Sequence, residues 1–239
     1  MAEAVFSRHA LITGSSSGIG LALAQRLLAA GWRVTGIDRQ AAPTEAEAAG
    51  LRTVPLDLLD AAALASALPD ILAERPDAFV HCAGLMRTGR ITEIRDEDME
   101  TLWRLHVGAA IAILRELVPI LPDIRGRIVL LSSRGALGRP GRGAYAASKA
   151  ALQGLARSLA LELAPHGITV NVVAPAATDT PMLRDPGRGE APAVSLPLGR
   201  LIAPDEVAYL VQCLLAPEAG AITGQTLYVC GGASLVAPS

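Results

Sequence analysis

Aromatic side chains make up only 3% of this 239-residue chain, and cysteine occurs three times. So few rings leave little material for a sugar pocket built on ring stacking. Cys82, Cys213 and Cys230 are too few and too scattered for a disulfide framework or a metal cluster, and read as small buried hydrophobes. No metal site is expected. An excess of either charge is also missing: 21 Lys and Arg stand against 23 Asp and Glu, a formal net charge of -2. That balance gives no electrostatic case for nucleic acid or for an anionic membrane surface as partner. Charge, Gly or Pro interrupts every apolar run before it reaches bilayer-spanning length. No leader segment separates the start, "MAEAVFSRHALITG", from a strand pattern, so a cytoplasmic location is expected. What the chain has in quantity is hydrophobic residues, at 51%, enough for one large α/β core.

Short apolar runs alternate with helical patterns from end to end. Residues 9–14, 32–38, 52–58, 77–84, 126–133, 168–175 and 225–232 are strand candidates. They are continuous rather than alternating, as strands are when helices cover both sheet faces. Between them lie "IGLALAQRLLAAG", "AAALASALPDILAE", "DEDMETLWRLHVGAAIAILRELVPIL", "YAASKAALQGLARSLALELAP" and "PDEVAYLVQCLLAP", each helical in period or composition. The alternation predicts parallel pairing through right-handed crossovers, hence a Rossmann-type doubly wound α/β sheet of about seven strands flanked by helices. No linker, repeat or low-complexity block divides it, so residues 1–239 read as one domain. The irregular stretch 181–204, rich in Pro and Gly, is a candidate substrate loop.

The first strand runs into Thr13-Gly14-Ser15-Ser16-Ser17-Gly18-Ile19-Gly20 and then into a helix. Glycines there allow a tight turn and let a pyrophosphate approach main-chain N–H groups at the helix N-terminus. Gly14, Ser16, Ser17, Gly18 and Ile19 are the candidate contacts. Asp38 ends the second strand, where a carboxylate accepts hydrogen bonds from the adenosine ribose of NAD and repels the 2′-phosphate of NADP. Arg39, next to it, could pair with that phosphate; Asp38 is weighed more heavily, which favours NAD over NADP. Asp57 and Leu58 follow the third strand and would meet the adenine, although Asp57 also reads as a helix cap.

Tyr145 and Lys149 stand one helical turn apart in "GAYAASKAAL", so a phenol and an ammonium share one face. Taken alone, that is a solvated surface pair. With Thr13–Gly20, Asp38, Asp57-Leu58, Ala83-Gly84, a preceding serine, and Pro175 followed by Thr180, the ordered set closely resembles the short-chain dehydrogenase/reductase family in its single-domain form. The resemblance covers essentially the whole chain, including the ending "ITGQTLYVCGG".

That resemblance implies hydride exchange between a nicotinamide and an alcohol carbon, with Tyr145 as general acid/base. A phenol with pKa about 10 is a poor base near neutrality. Lowering it by about three units requires roughly 4 kcal/mol, which Lys149 and the nicotinamide charge would supply. Lys149 would also hold the nicotinamide ribose, and Thr178 and Thr180 the carboxamide. The substrate oxygen needs a second partner, Ser132 or Ser133. Ser132 stands thirteen residues before Tyr145, the family's usual spacing. Motif alignment selects Ser133 with one residue deleted from the loop, and Ser133 is preferred because loops tolerate deletions.

Two departures from the family pattern stand out. His81-Cys82-Ala83-Gly84 replaces Asn-Asn-Ala-Gly, with cofactor contacts from Cys82 and Gly84 expected to be partly main-chain. His106 replaces an asparagine that helps hold a water linking the lysine to solvent. It could hold that water, relay the proton itself, or merely pack between helix and sheet. Arg87, Arg134, Arg139 and Arg142 could attract an anionic substrate, or could be ordinary surface arginines. The expected function is NAD(H)-dependent interconversion of a small-molecule secondary alcohol and its ketone. The alternatives are NADPH-dependent reduction of 3-oxoacyl thioesters and a silent nucleotide-binding sensor or scaffold. The helices at 97–121 and 145–164 are expected to pair copies into a homodimer or homotetramer.

Overall fold

A computed structural model of the chain describes residues 8–185 and 196–235. Much of the 181–204 stretch therefore lies outside the described residues. Seven strands form one parallel sheet in the order β3-β2-β1-β4-β5-β6-β7. They are β1 (His9–Thr13), β2 (Arg33–Asp38), β3 (Leu51–Pro55), β4 (Ala78–His81), β5 (Arg127–Leu131), β6 (Thr169–Pro175) and β7 (Thr226–Val229). The helices are α1 (Gly18–Ala29), α2 (Thr44–Ala48), α3 (Ala61–Leu72), α4 (Asp96–Trp103), α5 (Ala109–Leu117), α6 (Gly143–Leu163) and α7 (Pro204–Leu215).

Strand residues alternate between two buried layers. On one face Leu11, Phe79, Ile128 and Leu130 pack with α3, α5 and α6 through Leu68, Ile113 and Leu152. On the other, Ala10, Ile12, Val80 and Val129 pack with α1 and α7 through Leu23, Leu27 and Val211. Both faces being covered is why the strands read as unbroken apolar runs. The chain winds outward from β1 to β3, then restarts at β4 on the other side of β1. That reversal opens a crevice at the strands' carboxyl ends, where ligands bind in such sheets.

Two elements differ from the sequence expectation. The short α2 sits where no helix was expected. The long helical pattern from residue 96 is not one regular helix: Arg104–Gly108 forms a π-helical turn between α4 and α5. A π turn is a single-turn insertion inside a helix, too short for a sequence reading to separate from the apolar helical stretches on either side. Here it accompanies the burial of His106 and Val107.

Candidate active site

A cleft of about 750 Å³ occupies the crevice, lined by the ends of β1, β2, β4, β5 and β6 and the segments that follow them. At one end lies the turn between β1 and α1. Gly14 has φ +69°, and a Cβ there would lie 2.8 Å from the Ala83 amide nitrogen. A Cβ on Gly20 would lie 2.0 Å from the Gly14 carbonyl oxygen, so only glycine packs α1 this close to its own strand. Ser17, the extended N-cap residue, makes no side-chain cap bond, which leaves the first amides of α1 directed at the cleft. Ser17, Gly18 and Ile19 line it with Gly14.

Ser16 departs from its expected role. It is buried and outside the cleft lining; its hydroxyl donates to the Gln40 carbonyl at 2.8 Å. Its N–H donates to Asp38 Oδ2 at 3.0 Å, and Gln40 N–H donates to Asp38 Oδ1 at 3.0 Å. Asp38 thus clamps the glycine turn to the end of β2 while lining the cleft beside exposed Arg39. Asp57 and Leu58 also line it. The cap of α3 is Asp60, not Asp57, whose Oδ1 accepts from Leu59 N–H at 2.9 Å. Leu58 is buried and also borders a separate, mainly apolar groove of about 600 Å³ between α3 and α5.

At the other end Tyr145 and Lys149 are both buried on α6 and both line the cleft. Lys149 Nζ donates to the Leu131 carbonyl at 2.8 Å. Burial brings its ammonium pKa down to about 8. The Cys82 thiol is pushed up to about 12 by the same burial, so it stands there as a neutral group.

The two candidate serines part company. Ser132 is buried and its hydroxyl donates to the Lys149 carbonyl at 2.7 Å, tying β5 to α6. Ser133 is half-buried and caps the turn at Arg134–Leu137, its Oγ accepting from Gly135 N–H at 3.0 Å. A Cβ on Gly135 would lie 3.2 Å from Ser133 Oγ and 3.4 Å from Tyr145 Cε1, so both flank one point in the cleft wall. Ser133 keeps a hydroxyl proton to donate; that of Ser132 is already used.

Behind the cleft lie two buried imidazoles. Register pairs Thr13 with His81 across β1 and β4, and Thr13 Oγ1 meets His81 Nδ1 at 2.8 Å. His81 Nε2 faces the Leu105 carbonyl at 3.2 Å. A carbonyl only accepts, so the proton sits on Nε2, and burial with Lys149 nearby holds the pKa down to about 3. His106 receives the Leu85 N–H on Nε2 at 3.1 Å and meets Ser148 Oγ through Nδ1 at 2.9 Å. Both its nitrogens are engaged by protein groups. Burial, then Lys149, holds its pKa well below the usual value.

Thr178 is buried, its hydroxyl donating to the Ala176 carbonyl at 3.0 Å. Thr180 packs over the glycine turn, its Cγ2 3.0 Å from where a Gly18 Cβ would stand. Both line the cleft, with Cys82 and Gly84. Arg134, Arg139 and Arg142 line it as well, and Arg134 Nε donates to the Ala233 carbonyl at 2.9 Å. Arg87 is instead paired with Asp98 at 3.3 Å. Sequence reasoning missed Thr13 as the partner of His81 and Ser148 as the partner of His106. Ser148 had a local signal, since position i+3 from Tyr145 returns to the same helix face. Among the described residues no helix is long and apolar enough to cross a membrane, and no cluster of metal-binding side chains occurs.

Comparison with known proteins matches residues 14–234 to a family described as enoyl-(acyl carrier protein) reductase. The chain is 35% identical over 244 residues to 2,3-dihydro-2,3-dihydroxybenzoate dehydrogenase of Escherichia coli K12, covering 95% of this chain and 97% of that one. It is 35% identical over 237 residues to the 3-oxoacyl-(acyl-carrier-protein) reductase FabG of the same organism, with the same coverage. The 3-ketoacyl-(acyl-carrier-protein) reductase of Brucella melitensis, solved with NADH, superposes with a TM-score of 0.84 at 30% identity. That match covers 95% of this chain and 98% of that one.

Proposed function

The chain belongs to the short-chain dehydrogenase/reductase family of oxidoreductases, and from that premise we propose that it interconverts a secondary alcohol and its ketone using NAD(H). The observation that carries this reading is the buried Tyr145–Lys149 pair in the same cleft as the uncapped N-terminus of α1. The residues fit a nicotinamide dinucleotide. The glycine turn leaves no room for side chains where a backbone must approach, and Asp38 presents a carboxylate at the adenosine end. Gly14, Ser17, Gly18 and Ile19 would hold the pyrophosphate, Asp38 the ribose, Asp57 and Leu58 the adenine, and Thr178 and Thr180 the carboxamide, with Cys82 and Gly84 alongside. When bound, the cofactor supplies or accepts the hydride.

Tyr145 gives a proton to the substrate oxygen in reduction and takes it back in oxidation. Lys149, held by the Leu131 carbonyl, lies one turn away and its charge stabilises the phenolate. Ser133 donates to the same oxygen and fixes the carbonyl's orientation. The test is turnover of ketone and alcohol panels with NAD(H), by wild type and Tyr145→Phe. Loss of about a hundredfold or more in the variant, with NADH affinity kept, supports an enzyme using this phenol. Undiminished turnover, or a cellular role that survives the substitution, supports a sensor or scaffold instead.

NADPH-dependent reduction of 3-oxoacyl thioesters is the second reading. Arg39 at the adenosine end and Arg139 and Arg142 at the substrate end favour it, because a carrier-bound thioester brings phosphate groups. Self-association is part of the proposal as well. Met99 and Trp103 on α4 and Leu161 on α6 are large exposed apolar side chains, as a face that covers a second copy requires. A monomeric mass by light scattering would contradict it.

A further inference from the structure

Four residues form a continuous run of hydrogen bonds behind the cleft. Leu85 N–H donates to His106 Nε2 at 3.1 Å. An amide only donates, so Nε2 carries the lone pair and the ring's one proton sits on Nδ1. That proton goes to Ser148 Oγ at 2.9 Å, and the Ser148 hydroxyl donates to the Tyr145 carbonyl at 2.9 Å. The run joins the loop after β4, the π-helical turn and the first turn of α6. The His106 and Tyr145 rings also stand nearly perpendicular, with centroids 5.7 Å apart and planes at 84°. Around Gly84, a Cβ would lie 3.0 Å from His106 Nε2 and 3.2 Å from Lys149 Nζ, so a side chain there would have to displace one of them.

We infer that His106 is a positioning residue, a strut that sets Tyr145 through Ser148, and not a carrier of protons between Lys149 and solvent. The inference rests on Tyr145 being the acid/base group. A first helical turn is the least constrained part of a helix, since its amides lack intrahelical acceptors. The strut holds this one at two points: Ser148 donates to the Tyr145 carbonyl and the imidazole packs perpendicular to its ring. Any proton leaving by way of His106 would require Nε2 to give up the Leu85 amide, or Nδ1 to give up Ser148. Burial and the neighbouring Lys149 ammonium both oppose a second proton on the ring.

Two measurements test this on the full-length protein bound to NADH. In ¹⁵N-histidine-labelled wild type, long-range nitrogen–proton spectra read the tautomer of each ring, with the His106 signals assigned from His106→Asn. The strut predicts a neutral His106 protonated on Nδ1 throughout the active pH range. An Nε2-protonated or charged ring overturns it. In kinetics, His106→Leu and Ser148→Ala each lower kcat about tenfold or more while KM for NADH stays put, as displacement of a catalytic group requires. The double variant is no slower than the slower single one, because both break the same strut. The Tyr145 phenol titration, read as ultraviolet difference against Tyr145→Phe, shifts in both. Losses that multiply, or singles with unchanged kcat and titration, overturn the inference. Should His106→Leu fail to fold, Ser148→Ala and the wild-type tautomer still decide it. Failure to bind NADH, or full activity of Tyr145→Phe, would instead strike the proposed function and leave the tautomer result standing.

Discussion

Lys149 Nζ meets the Leu131 carbonyl oxygen at 2.8 Å, the last residue of β5 anchoring an ammonium that is only 4% exposed. Burial lowers its pKa from 10.5 to about 8. The unfolded chain therefore binds more protons than the folded one between those values, and this group makes stability rise with pH across that window. Below it the buried charge costs about 3 kcal/mol. Lys149→Met is expected to be at least as stable as wild type near neutrality, yet inactive. Denaturant unfolding at several pH values checks it: the stability difference, wild type minus variant, should grow by about 3 kcal/mol from pH 8 to 10.5. A difference independent of pH contradicts the burial account.

His81 titrates with the same sign at the acid end. Its pKa falls from 6.5 to about 3, so the unfolded chain binds the extra proton in between, and stability is lost as pH drops below 6.5. The loss is about 1.4 kcal/mol per pH unit. His81→Asn removes this contribution, and its stability-against-pH slope between these values should be shallower than that of wild type by that amount. Equal slopes would show that His81 is not held neutral.

The serines separate stability from chemistry. Ser132→Ala removes the hydroxyl that ties β5 to the Lys149 carbonyl, which keeps its helical donor, and is expected to cost about 0.5–1.5 kcal/mol in unfolding free energy. Ser133→Ala removes a cap from a short turn and a donor from the cleft, so kcat/KM should fall about a hundredfold with a smaller change in stability. The reverse pattern would move the substrate's hydrogen-bond partner to Ser132.

How far the sequence could be read depended on how local each feature is. The Tyr145–Lys149 face follows from helical spacing, and the glycine turn from a strand and a helix on either side of it. The strands were legible because helices bury both faces of every central one. Ser132 and Ser133 both line the cleft, and which of them keeps its hydroxyl proton for a ligand was not legible, since that depends on which hydroxyl finds the Lys149 carbonyl. Ser16 looked like a phosphate contact because it stands among glycines; its hydroxyl goes to the Gln40 carbonyl, a partner 24 residues away. His106 was ambiguous because it lies in a single π-helical turn, whose extra residue shifts which face each side chain takes. Its role depends on Leu85 and Ser148, brought to it from two other elements.

The central claim, a nicotinamide cofactor selected by Asp38, is met most directly by calorimetric titration of NADH and NADPH into wild type and Asp38→Ala. The account predicts that wild type binds NADH at least about tenfold more tightly than NADPH, and that the substitution narrows the gap by removing the repulsion of the 2′-phosphate. Because Asp38 also receives the Ser16 and Gln40 amides, some NADH affinity should be lost as well. Tighter binding of NADPH by wild type would contradict the Asp38 assignment and place Arg39 in control. Binding of neither nucleotide would contradict the reading of the cleft as a nicotinamide site.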